Sequence, residues 1–142
     1  MIKFNMNIEQ IIEILSQSME RYESETLGNT PLASLTPTQV HYLDTIFHLE
    51  DPNISELASH LNVSKPTVTF AINNMEKLGY VKKSQSNEDR RFFCVHLTST
   101  GKKLAKLHDE IHKNYAEIFR QVLNQNELKT LESLLEKVLK EI

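Results

Sequence analysis

A chain of 142 residues, 39% hydrophobic and 25% charged with only 3 Gly and 4 Pro, can enclose a core without disulfide or metal support and is not a disordered tail. Its single cysteine, Cys94, excludes an internal disulfide framework and fits a reducing compartment. The net charge of −3 hides an asymmetry: residues 60–106 sum to +6 and the remainder to −9, a basic middle suited to meeting phosphates between acidic flanks with another purpose.

No run approaches the roughly 18 to 20 apolar residues that cross a bilayer, and Met1 to Asn7 lacks a basic region followed by an apolar one. A cytoplasmic protein with no membrane partner is therefore expected. Ile8, Ile11, Ile12, Leu15, Met19 and Tyr22 recur at helical spacing and predict a long amphipathic helix that fades near Leu27-Gly28-Asn29. Thr36-Pro37-Thr38-Gln39 reads as an N-cap, a first-turn proline and a capping-box glutamine, opening a helix with Val40, Leu43, Ile46 and Phe47 inward and ending at Asp51-Pro52. Asn53 with Glu56 caps a short helix that buries Ile54, Leu57, Ala58 and Leu61, and Asn62-Val63 makes a turn. Ser64 caps a further helix with Val68, Ala71, Ile72, Met75 and Leu78 inward, closed by Gly79.

Tyr80 to Ser84 and Arg91 to Leu97 are rich in β-branched and aromatic residues around a polar run, which predicts a hairpin. Thr98 then caps a long helix carrying Leu104, Leu107, Ile111, Tyr115, Ile118, Phe119 and Val122. Asn124 with Glu127 caps the last helix, whose stripe is Leu128, Leu131, Leu135, Val138 and Ile142. The expected fold is mainly α: a winged helix-turn-helix core over 36–98 within one domain, 1–142, with helices in 1–30 and 99–142 left for dimerisation.

Two helices across a tight turn followed at once by a hairpin are the elements of a winged helix-turn-helix, whose second helix enters the major groove of double-stranded DNA. With Val68, Ala71 and Ile72 inward, that helix turns Lys65, Pro66, Thr67, Thr69, Phe70 and Asn73 outward as candidate base readers. Threonine can hydrogen-bond a base edge or pack on a thymine methyl, asparagine can pair with adenine, and Ser64 can meet a phosphate. Lys65, Lys77, Lys82 and Lys83 are expected to position the duplex, and Arg90 or Arg91 at the wing to enter a minor groove, one of them held by Asp89.

The strings Leu35-Thr36-Pro37-Thr38-Gln39, Glu56-Leu57-Ala58, Val63 to Thr69, Glu76-Lys77-Leu78-Gly79-Tyr80-Val81, Asp89-Arg90-Arg91 and Leu97 to Gly101 together resemble the MarR family of bacterial regulators over nearly the whole chain. The resemblance implies that the first and last two helices interlock two subunits, and two-fold symmetry then predicts a near-palindromic operator. Phe70 departs from the family, where a basic residue commonly stands at that position; its ring is expected to pack on the backbone or a thymine methyl.

His108 and His112 share one helical face at a spacing that suits two metal ligands. The resemblance further implies that Glu23, His41, His108 and His112 match the Glu and three His ligands of the family's zinc-uptake repressors, which makes Zn²⁺ a candidate effector. Those repressors' second site is not reproduced, since Asn29, Val40 and Leu107 stand where a cysteine and two acids would be. The same His pair after a leucine is also similar to the family's fatty-acid-synthesis repressors, in which an acyl chain and its carrier protein act as effector, and a hydrogen-bonded cluster without ligand is the third reading. Cys94 on a wing strand reads as a structural thiol, and His48, His60 and His96 as surface or hydrogen-bonded residues.

No phosphate-cradling glycine loop, nucleophile elbow or Ser/His/Asp constellation is legible, so an enzyme is not expected. The expected function is a homodimeric regulator, a repressor more than an activator because no further domain for recruiting polymerase is evident. The alternative is a winged helix that binds a protein partner without operator DNA.

Overall fold

A computed structural model describes residues 5–142. Residues 1–4, where the expected dimerisation segment and the reading of the N-terminus begin, lie outside the described residues. In chain order the elements are α1 (Ile8–Leu27), a 3₁₀ turn (Pro31–Ser34), α2 (Pro37–Leu49), α3 (Ile54–Leu61), α4 (Lys65–Lys77), β1 (Val81–Gln85), β2 (Phe93–Leu97), α5 (Ser99–Val122) and α6 (Gln125–Leu139). The fold is mainly α with one two-stranded antiparallel hairpin. Two compact units emerge, one spanning Leu27–Asp109 and one formed by the preceding helix with Glu110–Ile142.

The Leu27–Asp109 unit is the winged body. Reciprocal capping boxes start two of its helices, Thr36 with Gln39 at α2 and Asn53 with Glu56 at α3, each satisfying N–H groups that a helix end leaves orphaned. Asn62 takes the left-handed conformation (φ 53°) that ends α3, and Ser64 caps α4 by accepting from the Thr67 N–H. Leu43 and Ile46 of α2, Leu57 of α3, Val68, Ile72 and Met75 of α4, and Val81 and Val95 of the hairpin close a common core. Each such aliphatic side chain taken from water contributes roughly 1.5–3 kcal/mol. This unit is larger than 36–98 because Leu32 of the 3₁₀ turn and Leu104 and Ala105 of α5 belong to the same core.

Tyr42 and Thr45 are buried as well as Leu43 and Ile46, while Val40 and Phe47 pack only partly. Leu78, expected inward, is 53% exposed: it is the C-cap of α4, beyond the last turn that faces the core. Gly79 follows in the left-handed region (φ 82°), as a helix terminator there requires.

The hairpin pairs Val81 with Leu97 and Lys83 with Val95, so Lys83 shares the face of the buried valines. The hairpin's base is tied to the α2–α3 connection. Val95 N–H donates to the Pro52 carbonyl (2.8 Å), Cys94 bridges Asn53, and His96 Nδ1 meets Asp51 Oδ1 at 2.8 Å.

In the other unit, α1 and α6 bury no residue in the single chain. Ile8, Ile12, Ile14, Leu134, Leu135 and Val138 are each more than half exposed. Tyr115 packs edge-on against Tyr22 with ring centroids 5.8 Å apart, and Asn124 with Glu127 forms a third capping box. Ile142, expected on the α6 stripe, lies beyond the helix end. No helix among the described residues is long and apolar enough to cross a membrane.

Candidate nucleic-acid interface

Helix α4 is anchored from below by Val68, Ile72 and Met75, all fully buried, which fixes what its opposite face can offer. Ser64, Lys65, Pro66, Thr67, Thr69 and Phe70 are exposed together at its N-terminal end, Phe70 by 70%. The Ser64 and Thr67 hydroxyls hydrogen-bond each other at 2.8 Å, so the capping hydroxyl and the first threonine form one polar group at the helix start.

Asn73, one turn further along, is half-buried and already engaged: its Oδ1 accepts from Lys83 Nζ at 2.6 Å. Lys83 is held a second time, its backbone N–H donating to Glu76 Oε2 (3.0 Å) and its ammonium lying 4.0 Å from Glu76 Oε1. Of the two hairpin lysines expected at phosphates, Lys82 is exposed and Lys83 is turned toward α4. Sequence reading missed this coupling, because it depends on the hairpin register and joins residues ten positions apart.

At the wing tip Arg91 forks onto Asp89, its Nε 3.1 Å from Oδ1 and its Nη2 2.8 Å from Oδ2, and its backbone N–H donates to the same carboxylate (3.0 Å). The Arg91 side chain, and then its backbone N–H, hold the Asp89 carboxyl below its usual value, and Asp89 raises the Arg91 guanidinium in turn. The Arg90 carbonyl accepts from Gln85 Nε2 (2.6 Å), and the exposed Arg90 guanidinium has no ion-pair partner among the described residues. Asp89 therefore orders Arg91, while the neighbouring Arg90 keeps its charge uncompensated.

Of the four candidate zinc ligands, Glu23 and His112 approach in the helical unit, Glu23 Oε1 lying 3.6 Å from His112 Nε2. In the winged unit, His108 Nδ1 is 3.6 Å from Asp44 Oδ1, and His41 is exposed on α2. Asp44 also meets His48, whose other ring nitrogen lies 3.7 Å from Asp109. His96 is hydrogen-bonded between Asp51 and the Ser84 hydroxyl, His60 is exposed, and Cys94 is half-buried.

A sequence profile described as the MarR family matches residues 35–93, from the cap of α2 through the wing. The transcriptional regulator AdcR of Streptococcus pneumoniae serotype 2 (strain D39 / NCTC 7466) is 32% identical over 92% of this chain and 90% of its own. The HTH-type transcriptional regulator YvnA of Bacillus subtilis (strain 168) is 31% identical over 68% of this chain, which spans 63% of that relative's length. Among solved structures, Streptococcus pneumoniae FabT in complex with DNA superposes with a TM-score of 0.80 at 26% identity, covering 93% of this chain and 92% of FabT.

Proposed function

The chain belongs to the MarR family, and from that membership we propose that it is a sequence-specific DNA-binding transcriptional regulator, a homodimeric repressor of a near-palindromic operator. The observation that carries this reading is the exposed N-terminal face of α4, presented by a buried underside in the same unit as the wing arginines. Solved complexes of FabT and of S. aureus MepR with DNA support it, the latter by fold alone at 19% identity and a TM-score of 0.69. Its curated relatives are transcriptional regulators and not enzymes.

The dimer reading rests on the apolar residues that α1 and α6 leave exposed, which a second copy would cover. The proposed effector is Zn²⁺, held by Glu23, His41, His108 and His112. A carboxylate with three imidazoles is a donor set that suits tetrahedral Zn²⁺, His108 and His112 lie one turn apart on α5, and Glu23 already approaches His112. Bound metal would supply no reaction; its role is to bias the spacing of the two recognition helices.

A groove of about 470 Å³ in the helical unit, lined by Leu15, Tyr115, Ile118, Phe119 and Leu123 among others, favours a second reading, an acyl or other apolar effector.

Selection of operators from random duplex DNA by the purified protein, with chelator and with added Zn²⁺ in parallel, tests both levels. A palindrome enriched only with Zn²⁺ supports the metal-sensing repressor. One enriched equally in both keeps the DNA-binding reading and turns the effector search to acyl ligands. No enrichment in either arm overturns the DNA-binding reading and leaves the winged unit as a protein-binding module.

A further inference from the structure

Lysine carries three donors and no acceptor, so the amide atom of Asn73 that faces Lys83 Nζ at 2.6 Å must be the oxygen. That fixes the amide's orientation on chemical grounds. The oxygen is turned toward Lys83 of β1 with one of its two lone pairs engaged, and both Nδ2 hydrogens remain to offer. The Lys83 side chain cannot swing away without its ammonium losing Asn73 and leaving Glu76 Oε1, 4.0 Å away, while Glu76 Oε2 separately holds the Lys83 backbone N–H at 3.0 Å. Its stem lies on the hairpin face of buried Val81 and Val95.

Asparagine reads adenine by a two-way exchange, accepting from N6–H with its oxygen and donating to N7 with its nitrogen. One of the oxygen's two lone pairs is taken by the Lys83 ammonium, whose positive charge disfavours a second donor such as N6–H at the other, so that exchange is weakened. An amide biased toward donating instead matches a base edge made of acceptors, and guanine presents two, N7 and O6, in the major groove. Adenine would set its own N6 donor against the donors of Asn73.

We propose that Lys83 is a specificity-positioning residue: by holding the Asn73 oxygen it biases Asn73 toward donating, which favours guanine over adenine at the base pair it faces. The inference rests on the DNA-binding reading and adds a direction of preference to it. It also takes Lys83 out of the phosphate-contacting set, because its ammonium is directed at Asn73 and Glu76 within the protein.

The test is operator selection with the wild-type protein, Lys83→Met, Asn73→Ala and Asn73→Asp. Met keeps the apolar stem of Lys83 and frees the Asn73 oxygen. Lys83→Met is expected to shift one position in each half-site from guanine to adenine, by about ten-fold in relative affinity, and to leave the other positions unchanged. Asn73→Ala should remove discrimination at that same position. Asn73→Asp keeps an acceptor for Lys83 but has no amide donor, so it should lose the guanine preference while its thermal midpoint stays near that of the wild type. Lys83→Met with an unchanged base preference overturns the proposal, as does an adenine preference in the wild type that Asn73→Ala abolishes. A variant that fails to fold shows in its thermal midpoint, and the remaining variants still decide the outcome. A wild-type protein that enriches no sequence defeats the DNA-binding reading itself and is thereby told apart from a failure of the Lys83 proposal.

Discussion

Gly101 stands against the backbone of Tyr80 so closely that a Cβ added to it would lie 2.0 Å from the Tyr80 carbonyl oxygen. The same oxygen accepts from the Thr98 N–H (3.1 Å), and Thr98 Oγ1 donates to the Gly79 carbonyl (2.6 Å) while accepting from the Gly101 N–H (3.1 Å). The string Leu97-Thr98-Ser99-Thr100-Gly101 thus sews the start of α5 to the turn between α4 and β1. Gly101→Ala has no soft neighbour to displace, only backbone, and is expected to destabilise the protein by about 2–4 kcal/mol. Gly79→Ala meets nothing within 4 Å and incurs only the left-handed backbone penalty, about 1 kcal/mol. Thermal unfolding of both variants checks the order, and equal shifts would show that the close approach to Tyr80 carries no weight.

How much of this was legible from residues alone varies with the range of the interaction. Capping boxes at Thr36, Asn53 and Asn124 are written within four residues, and sequence reading found all three. The Asp89–Arg91 fork spans two residues and was anticipated without a choice between the arginines. Burial of Leu32 was not anticipated, because a 3₁₀ turn of four residues has no period to detect. The links of Lys83 to Asn73 and of Asp51 to His96 need the hairpin in place, so no local pattern announces them.

The two wing arginines are expected to differ in salt dependence. Arg91 carries its counter-charge with it in Asp89, whereas Arg90 does not. Arg90→Ala should therefore weaken binding to any duplex and lower the slope of log affinity against log salt by about 1 for each bound subunit, and Arg91→Ala should lower it by less. Titration of each variant at several salt concentrations measures the slopes, and a larger drop for Arg91→Ala would contradict the assignment.

The Asp89–Arg91 pair also sets a pH expectation. Asp89 has a folded-state carboxyl held below its unfolded value, so the order it confers is fully present above that unfolded value, about 3.9, and is lost only as pH falls through the lower folded value. Across pH 5–8 this pair should therefore add no pH dependence to DNA binding. Asp89→Asn and the wild type should show parallel affinity profiles over that range, and a profile that bends in the wild type alone would overturn the expectation.

The proposed zinc site can be tested separately from DNA binding by measuring the metal alone. Competition with a chromophoric chelator should give the wild-type protein one tight site per chain. Glu23→Gln and His112→Ala, which remove the two donors 3.6 Å apart, should each weaken it by at least about ten-fold, since even the supporting partners of metal ligands are worth that much. Undiminished affinity in both variants would place the metal elsewhere.

The helical unit makes the dimer reading testable at single positions. Leu135 and Val138 of α6 and Ile8 and Ile12 of α1 are more than half exposed, an apolar display that is unfavourable in water unless a second copy covers it. Leu135→Glu places a charge on that surface at the edge of the groove beside Met19, His112 and Phe119. Sedimentation equilibrium should report a dimer for the wild type and a monomer for Leu135→Glu at micromolar concentration. The winged unit has its own core in residues 27–109, so the variant should keep its helical circular-dichroism signal in large part and lose cooperative binding to paired half-sites. A wild-type monomer, or a Leu135→Glu dimer of undiminished affinity, would remove the apolar helix faces as the reason for pairing.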